Sequence, residues 1–323
     1  MLGAAGTIGR VASGFLAGWG APLARRDFRL DGDEHVDARD PASLRRALTG
    51  ASVCLNCADY RLNLGVMEAA LASGCHYVDL GGLFHVTRRQ LELDERFREA
   101  GLSAVLGIGS APGKTNLLTA AAAARLGGEP RTLEIWAATR DPAAEGHPLP
   151  ITYSARTLID ELRLAPMVVR HGSLVEVEPL SGKAERELPE VGRVEGIYTL
   201  HSELATLPGA YPGLEQASFR LSLSPGLVDR LLALDEDDLP EPYVQSERAV
   251  AAHLVELGGE DGAVTGAAIT RGGSARSTAE PAARAAVELA EGRLSAPGVH
   301  PPESAIADPA GFLALLDTEV RWS

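Results

Sequence analysis

Strand-like and helix-like segments alternate along the first third of the 323-residue chain. Short apolar runs that are typical of buried strands are followed by longer segments with apolar residues at helical spacing. In chain order we predict helix Ile8–Ala17, strands Ala21–Ala24 and Glu34–Val36, helix Ala42–Leu48, strand Ser52–Asn56, helix Leu64–Ser73, strand His76–Leu80, helix Val86–Ala100 and strand Ser103–Gly107. This alternation predicts an α/β fold with a Rossmann-type, doubly wound parallel sheet.

Strand-like pieces dominate after Asn116, where the regular alternation with helices stops. A His171-Gly172 turn is expected to join two of these strands as a hairpin. The predicted strands are Thr132–Ala138, Met167–Arg170, Ser173–Val177, Arg193–Tyr198 and Ala217–Ser222, and the predicted helices are Leu117–Leu126, Thr157–Leu164, Ser246–Leu257, Glu280–Ala290 and Pro309–Leu316. The mixture predicts an α+β insert after the first domain.

Composition and charge exclude several classes of protein. The formal net charge is −14 and no basic block offsets it, so nucleic acid is not an expected partner. No apolar run reaches the roughly 18–20 residues of a membrane span, and the first residues do not resemble a signal peptide, so we expect a cytoplasmic protein with no membrane contact. Cys54, Cys57 and Cys75 are expected to be inert thiols, because Cys54 and Cys57 lie in a buried strand.

A glycine-rich turn opens the chain at Gly-x-x-Gly-x-x-Gly spacing. A dinucleotide pyrophosphate binds where backbone N–H groups point at it from a helix N-terminus and glycines allow close approach. Because strand–helix units follow at Rossmann spacing, we predict that Gly3, Gly6, Thr7, Ile8 and Gly9 bind a dinucleotide. Only two residues precede the turn, so either the true start lies upstream or the first strand is stunted.

The identity of the dinucleotide depends on the end of the second predicted strand. An acidic residue there would bind the ribose of NAD, but the chain has Arg25 and Arg26, with Asp27 following. Arginine at this place can pair with the 2′-phosphate of NADP, whereas the alternative is an exposed charged loop. We therefore predict NADP or NAD as the cofactor, with NADP modestly favoured.

A second glycine-containing loop, Gly109–Thr115, resembles a phosphate-binding P-loop without matching it. Ile108 stands where the first glycine of that motif belongs, and Pro112 removes an N–H donor from the cradle. At the carboxyl end of a parallel strand the loop can still face a ligand crevice. A P-loop NTPase is therefore kept only as a third hypothesis.

Two groups of polar residues contain histidine. His76, Asp79 and His85 could be read as metal ligands, but strand alternation separates the first two and no second cluster supports them, so we expect no metal. The segment Tyr198–Pro208 instead gathers His, Glu, Ser and Thr residues around a strand end. Such a cluster can position a proton donor, although a capped helix start with a satisfied histidine explains it equally well.

Five segments together resemble the saccharopine dehydrogenase-like oxidoreductases, particularly the lysine 6-dehydrogenase and saccharopine reductase branch. They occur in the family's order across nearly the whole chain, which is more specific than any single motif. The third of them, GIGSAPGKTN, is similar to the family's Gly-Leu-Asp-Pro-Gly-x-x-Asn loop. The segments are Gly3–Gly9, Cys57–Gly82, Gly107–Asn116, Tyr198–Pro208 and Gly298–Glu303.

This resemblance implies an oxidoreductase built in three parts. Residues 1–116 would form the dinucleotide-binding Rossmann domain with a truncated first strand, and residues 117–279 an α+β domain for substrate and dimer contacts. Residues 280–323 would form a C-terminal helical segment that returns to the Rossmann domain. The implied reaction is hydride transfer between NAD(P) and a CH–NH carbon of a small-molecule substrate, an amino acid or related amine, in a homodimer.

The resemblance also implies roles for individual residues near the nicotinamide and the substrate. The catalytic candidates are His201, Glu203, Asp79 and Tyr60; further cofactor contacts are Asn56, Pro112 and Gly113; and the substrate contacts are Lys114, Asn116 and Thr206. Lys114 could pair with a substrate carboxylate or with a cofactor phosphate. Three features depart from the family: the short first strand, Arg25 at the acidic position, and Ala111 in place of the aspartate before the loop proline.

Amine oxidation needs a neutral amine, departure of a hydride and attack of water on the imine. The proton transfers require a group that titrates near neutrality, and we predict His201, oriented by Glu203, for this role. The alternative from another class is a non-catalytic NAD(P)-binding or sensing protein, which the truncated strand and Ala111 leave open.

Overall fold

The computed structural model describes residues 1–224, 226–235, 239–294 and 296–323. The chain divides into two compact units, residues 1–113 with 278–307 and residues 114–277 with 308–323. The helices are α1 Thr7–Gly18, α2 Pro41–Leu48, α3 Asn63–Ala72, α4 Leu83–Leu91, α5 Asp94–Glu99, α6 Lys114–Leu126, α7 Ala155–Arg163, α8 Glu203–Ala210, α9 Leu227–Leu232, α10 Gly273–Ala290, α11 Pro302–Ala305 and α12 Pro309–Ala314. The strands are β1 Val53–Asn56, β2 His76–Asp79, β3 Ser103–Val105, β4 Thr132–Arg140, β5 Met167–Arg170, β6 Ser173–Glu176, β7 Ala184–Leu188, β8 Gly192–Tyr198, β9 Gln216–Leu221, β10 Val250–Gly259, β11 Gly262–Arg271, β12 Gly298–His300 and β13 Glu319–Trp322. Within the described residues, none of the helices combines the length and the apolar character that crossing a membrane requires.

A parallel sheet in the order β1-β2-β3-β12 forms the centre of the first unit. Leu2 extends this sheet, because its N–H donates to the carbonyl of Leu55 and its own carbonyl accepts from the N–H of Cys57. On its other side Leu2 bridges Arg26, also in parallel. The first strand is therefore present as a very short ladder, and the predicted α/β class with a Rossmann-type parallel sheet is confirmed.

Local sequence explains the helices of this unit. The side chain of Asp40 caps α2 by accepting from the N–H groups of its first turn, and the first residue of the helix is proline. The predicted helix Val86–Ala100 is wrong as one element, since α4 and α5 are separate helices. The predicted strands Ala21–Ala24 and Glu34–Val36 are also wrong: residues 32–34 form a 3₁₀ turn, and only an isolated bridge joins Asp27 to His35.

A large mixed sheet forms the second unit. Its described strands follow the order β13-β11-β10-β4-β9-β5-β6, and β8 adds to β9 while carrying β7 on its other side. The β4–β9 pair is parallel, and β10 runs antiparallel to both of its neighbours. Side chains including Trp136, Leu188, Leu254 and Ile269 pack into an apolar cluster on this sheet.

The predicted helix Ser246–Leu257 is wrong, because most of that segment is strand β10. This strand pairs with β4 on one side and along its full length with β11 on the other. A central strand that is buried on both faces has a continuous apolar sequence, which periodicity alone cannot distinguish from a buried helix. Strands β7, β11, β12 and β13 were not predicted either.

The predicted hairpin at His171-Gly172 is present. Arg170 pairs with Ser173, so the two residues between them form the whole loop. Both have positive φ angles, 49° for His171 and 74° for Gly172. This conformation matches the right-handed twist of paired strands, which is why such turns dominate short hairpins.

The tail of the chain differs from the expectation that residues 280–323 return to the first unit. Residues 278–307 do group with that unit, but residues from Asp308 onward group with the second. The reason is the pairing of β13 with β11, which runs from Gly266 to Ile269 on the longer strand.

Candidate functional site

The glycine-rich turn lies between the short first strand and α1. Gly3 has a φ of 72°, and the N–H of Gly6 donates to the carbonyl of Gly3 at 3.1 Å, which folds the turn back on itself. A Cβ at Gly3 would lie 2.5 Å from the carbonyl carbon of Cys57, and a Cβ at Gly9 would lie 2.0 Å from the carbonyl oxygen of Gly3. Both positions therefore require glycine.

Helix α1 presents its N-terminus at this turn. Gly6 is the N-cap, and the first turn of the helix carries no acidic side chain. The first N–H groups of a helix lack intrahelical acceptors, and the helix dipole favours negative charge at this end. A turn that leaves no room for a Cβ and leads into a helix N-terminus fits the pyrophosphate of a dinucleotide, and the predicted residues Gly3, Gly6, Thr7, Ile8 and Gly9 lie together there.

The extended segment after α1 pairs with the first strand through a bridge between Arg26 and Leu2. The residue that follows this bridge, at the end of the segment, is therefore Asp27 rather than Arg25. The buried Asp27 carboxylate accepts from the N–H of Ala5 at 3.0 Å and from the N–H of Arg29 at 2.9 Å. Burial favours a higher pKa for Asp27, but these hydrogen bonds and the Arg29 guanidinium hold it below its usual value. The acidic residue that the sequence analysis found missing is thus present and tied to the glycine turn.

A buried carboxylate lies at the carboxyl edge of the parallel sheet. Asp79 ends β2, next to Asn56 at the end of β1. Five donors contact its two oxygens: the N–H groups of Gly81 and Gly107 at 3.0 and 2.7 Å, Asn63 Nδ2 at 3.1 Å, the Tyr77 hydroxyl at 3.0 Å and Gln90 Nε2 at 2.6 Å. Burial raises the pKa of Asp79, although the donors oppose this shift.

This network does not support two of the predicted roles. Five donors fill the acceptor sites of Asp79, so the carboxylate has no lone pair left for a substrate. Asn56 donates to Asn63 at 2.9 Å and to the hydroxyl of Tyr77 at 3.2 Å, and its oxygen accepts from the N–H of Ala58 at 3.1 Å. The catalytic role of Asp79 and the cofactor contact of Asn56 stay predictions, and in this structure the contacts of both side chains hold the sheet edge together.

The loop after β3 closes on itself. The N–H of Gly109 donates to the carbonyl of Pro112 at 3.0 Å, and a Cβ at Gly113 would lie 2.2 Å from the carbonyl oxygen of Gly109. The N–H of Gly109 is used inside the loop and does not point at a phosphate, which does not support a P-loop cradle. The cofactor contacts of Pro112 and Gly113 stay predictions.

Tyr60 lies half-buried in a 3₁₀ turn after β1. Its catalytic role also stays a prediction.

The contacts of Lys114 in the structure differ from the substrate or cofactor contacts that the sequence analysis predicted. Its side chain is fully buried in the second unit, at 0 % exposure. The ammonium donates to the hydroxyls of Thr318 at 2.7 Å, Thr270 at 2.8 Å and Ser277 at 3.3 Å. The predicted pairing with a substrate carboxylate or a cofactor phosphate stays a prediction, and in this structure the ammonium is hydrogen-bonded to these hydroxyls.

His201 lies in the second unit between two buried carboxylates. Its Nε2 is 3.5 Å from Glu161 Oε2, and its Nδ1 is 3.5 Å from Glu203 Oε2. The ring stacks on Phe219 with the centroids 3.7 Å apart, and the other oxygen of Glu203 accepts from the hydroxyl of Thr115 at 2.7 Å. The structure thus brings the predicted pair of His201 and Glu203 together.

The two carboxylates control the protonation of His201. Burial by itself lowers the pKa of this imidazole, but the charges of Glu161 and Glu203 outweigh burial and raise it to about 10. The ring is therefore protonated at neutral pH instead of titrating there, as the sequence-based mechanism assumed. Glu161 also accepts a hydrogen bond from Tyr153, and burial together with this carboxylate raises the pKa of that phenol well above its usual value.

Several buried polar atoms around His201 have no hydrogen-bond partner within the described part of the chain. They are both ring nitrogens of His201, whose contacts at 3.5 Å are ion pairs without hydrogen-bond geometry, Thr199 Oγ1, Ser202 Oγ and Glu203 Oε2. Buried polar groups are normally hydrogen-bonded, so this cluster indicates a place for a polar ligand or ordered water. Asn116 and Thr206 also lie together in this unit, with Nδ2 and Oγ1 3.4 Å apart.

Sequence reasoning missed Glu161, Tyr153 and Thr115, which complete this cluster. Glu161 comes from α7, on the same face as the buried Leu158 and Leu162. A glutamate on the apolar face of an amphipathic helix rarely stays buried without a charged partner, so its position was the available signal. Tyr153 and Thr115 carried no comparable signal.

Comparison with known proteins gave three findings. Residues 31–105 match the saccharopine dehydrogenase NADP-binding domain family. Carboxyaminopropylagmatine dehydrogenase of Synechocystis sp. (strain ATCC 27184 / PCC 6803 / Kazusa) is 26 % identical over 192 residues, which cover 58 % of this chain and 48 % of that protein, so the chain spans about half the length of this curated relative. The apo, histidine-tagged saccharopine dehydrogenase (L-Glu forming) from Saccharomyces cerevisiae is 14 % identical with a TM-score of 0.68 over 100 % of this chain and 98 % of that one.

The fold and the glycine turn define a Rossmann-type α/β protein with a second unit built on a mixed sheet. The resemblance to the saccharopine dehydrogenase-like proteins that the sequence analysis found is confirmed at the level of the NADP-binding domain that residues 31–105 match and of the similarity to a curated dehydrogenase. At 14 % identity the yeast structure shows the shared fold alone. The family match begins at residue 31 and so does not include the glycine turn.

Two glycines of α1 test whether the turn needs glycine for steric reasons. We expect Gly9→Ala to lower the free energy of unfolding and to weaken dinucleotide binding, because its Cβ would lie 2.0 Å from the Gly3 carbonyl oxygen. The matched control is Gly14→Ala, where no described atom outside the helix's own backbone lies within 4 Å of the added Cβ. Helix propensity should make this control more stable by about 1 kcal/mol. Urea unfolding and dinucleotide titration measure both effects, and equal behaviour of the two variants would contradict the steric argument.

The raised pKa of His201 predicts a pH-dependent contribution to stability. Since the pKa rises from 6.5 to about 10 on folding, the ion pairs of His201 stabilise the protein fully below pH 6.5 and lose their effect as the pH rises toward 10. The difference in unfolding free energy between the wild type and His201→Gln should therefore be largest at low pH and shrink across this window. Urea unfolding across this pH range measures it, with His85→Gln, at an exposed position, as control. A difference that grows with pH would overturn this account.

Proposed function

We propose that the chain is an NAD(P)-dependent oxidoreductase that transfers a hydride between the nicotinamide and a CH–NH carbon of an amino acid or related amine. The observation that carries the proposal is the glycine turn, where a Cβ at Gly3 or Gly9 would collide with the backbone at the N-terminus of α1. The match to an NADP-binding domain family supports a nicotinamide cofactor. The names of the two relatives, which contain saccharopine and carboxyaminopropylagmatine, support an amine-containing substrate.

The chain's own residues would bind, orient and hold protons, while the bound nicotinamide would supply the hydride chemistry. The glycine turn would hold the pyrophosphate, and Asn116 and Thr206 would contact the substrate. Because His201 keeps its proton up to about pH 10, we propose that it acts as an acid or a fixed positive charge rather than as a base that titrates near neutrality. Glu203 would orient the ring and balance its charge.

His201→Gln tests this role. We expect turnover to fall by at least about a hundredfold, in line with the usual contribution of a proton-transfer group, while dinucleotide affinity stays unchanged. The measurement follows the absorbance of the reduced cofactor with NADP⁺ or NAD⁺ and a panel of amino acids and diamines. His85→Gln serves as the control. Unchanged turnover in the His201 variant would remove this residue from the mechanism.

The same panel tests the proposed function itself. Reduction of the cofactor with any panel member supports a dehydrogenase. Dinucleotide binding without turnover on every member would favour the non-catalytic binding protein. If the wild-type protein binds neither NADP⁺ nor NAD⁺, this result would contradict the role of the glycine turn.

We propose NADP as the preferred cofactor, because the carboxylate of Asp27 already accepts from the N–H groups of Ala5 and Arg29, whereas Arg25 can contact the 2′-phosphate. Its Nε is buried and has no hydrogen-bond partner among the described residues, and it lies two residues before Asp27 at the end of the second extended segment. A buried guanidinium nitrogen that still needs an acceptor suits a 2′-phosphate.

Arg25→Gln should weaken NADP⁺ binding by about tenfold or more, because one charge-assisted hydrogen bond contributes about 1.5–3 kcal/mol. NAD⁺ lacks the 2′-phosphate, so its affinity should not change. Fluorescence titration with both dinucleotides measures the difference, and Arg88→Gln on the exposed side of α4 is the matched control. An equal loss for NADP⁺ and NAD⁺ would argue against the 2′-phosphate contact.

A further inference from the structure

His201 has different surroundings on its two sides, although a glutamate faces each ring nitrogen. On the Nε2 side, Glu161 Oε2 lies 3.5 Å away and also accepts a hydrogen bond from the hydroxyl of Tyr153. On the Nδ1 side, Glu203 Oε2 lies 3.5 Å away and has no hydrogen-bond partner among the described residues. The hydroxyl of Thr115 donates instead to the other oxygen of Glu203, at 2.7 Å. The two oxygens that face the ring are therefore not equivalent.

The hydrogen bond from Tyr153 occupies the same oxygen of Glu161 that faces Nε2. A donor on a carboxylate oxygen uses one of its lone pairs and stabilises its negative charge, so that oxygen attracts a further proton less strongly. Burial and the charge of Glu161 raise the pKa of Tyr153 well above its usual value, so the phenol keeps its proton and remains a donor. Nε2 therefore faces the weaker of the two acceptors, and Nδ1 faces the stronger one.

Two further neighbours of the ring add no charge. The ring of Phe219 on β9 stacks on the imidazole, with the centroids 3.7 Å apart. Burial and the charge of Lys114 on α6 lower the pKa of His253 on β10 to about 3, and the charge of His201 contributes in the same direction. This second histidine is therefore neutral at neutral pH, and the difference between the two glutamates remains the main asymmetry around His201.

We propose that Tyr153 is a positioning residue for the proposed reaction, and that its hydrogen bond to Glu161 makes Nε2 the ring nitrogen of His201 that releases a proton. In this step the N–H bond at Nε2 breaks, and the proton passes to an imine nitrogen of the substrate or to water. The ring becomes neutral and keeps its other proton on Nδ1, where it faces Glu203. The proposal rests on the proposed function, in which His201 acts as an acid, but its first tests require neither dinucleotide nor turnover.

The pKa of His201 tests the effect of Tyr153. Tyr153→Phe keeps the aromatic ring and removes the hydroxyl, so Glu161 becomes a stronger acceptor and the pKa of His201 should rise by about one unit. Glu161→Gln removes the negative charge at Nε2, so the pKa should fall by about one unit or more. Nuclear magnetic resonance titration of the full chain across the alkaline range measures both shifts, with the signal of this histidine assigned by its loss in His201→Gln.

The position of the remaining proton tests the role of Nε2. Above the pKa of His201, the neutral ring of the wild type should carry its proton on Nδ1. The nitrogen chemical shifts of the labelled imidazole distinguish this tautomer from the other one. In Tyr153→Phe the population with the proton on Nε2 should increase, because Glu161 then competes better for that proton.

Tyr243→Phe is the matched control, because this tyrosine belongs to the same unit and its hydroxyl interacts with Asp141 instead of Glu161. It should change neither the pKa nor the tautomer of His201. An unchanged or lower pKa in Tyr153→Phe would overturn the proposal, and so would a neutral wild-type ring with its proton on Nε2. Because the wild-type tautomer needs no variant, this second result decides the proposal even if a variant fails to fold.

The pH profile of turnover extends the test to the reaction. With the Nε2 proton held more tightly, Tyr153→Phe should lower kcat more than it changes KM, and the alkaline limb of its profile should move to higher pH. A wild-type kcat with an unshifted profile would argue against a positioning role. If the wild type has no turnover on any panel member, the proposed function fails while the resonance measurements still decide which nitrogen releases the proton.

Discussion

The five hydrogen bonds to the buried carboxylate of Asp79 constrain most of the carboxyl edge of the first unit. An isolated buried charge is costly, so this carboxylate remains inside only if donors surround it. Its donors come from the loops after β2 and β3, from the start of α3 and from α4. One side chain thus fixes several chain segments at the edge where parallel sheets bind their ligands. The glycine turn shares this framework, because Leu2 bridges Asn56, which also hydrogen-bonds within the network.

The second unit also contains buried charge, which is stabilised by an imidazole that lies between two carboxylates. Glu161 and Glu203 are both buried, and the single positive charge of His201 cannot neutralise them both. Hydroxyl donors from Tyr153 and Thr115 stabilise the remaining negative charge. This arrangement explains why the imidazole holds its proton so strongly, and it changes the chemistry that can be assigned to it: a ring that is already protonated can give a proton or attract an anion, but it cannot begin as a base.

The helices, strands and turns that depend on local sequence pattern could be predicted from the sequence. Helices α1, α2 and α3, strands β1 and β2 and the hairpin at His171-Gly172 follow from apolar periodicity, caps and turn residues. Strand β10 was mistaken for a helix because burial on both faces removes the alternation that identifies a strand. The pairing of β13 with β11 joins residues about fifty positions apart, and no local pattern reports such a contact.

For the candidate site, the sequence could identify residue types but not their surroundings. Asp79 and Lys114 were given functional roles because carboxylates and ammonium groups often act on substrates, and the structure surrounds both with protein donors or hydroxyls. Asp27 was passed over because the extended segment after α1 ends two residues later than the pattern suggested, at Asp27 instead of Arg25.

The two lysines of the chain differ in burial, so a reagent that labels amines should modify them at different rates. The side chain of Lys183 is 67 % exposed, whereas that of Lys114 is at 0 %. An acylating reagent added to the folded protein should therefore modify Lys183 quickly and reach Lys114 only during transient opening of the second unit. Because no other lysine side chain competes, the slow reaction at Lys114 would report the frequency of that opening directly, with the fast reaction at Lys183 as an internal reference.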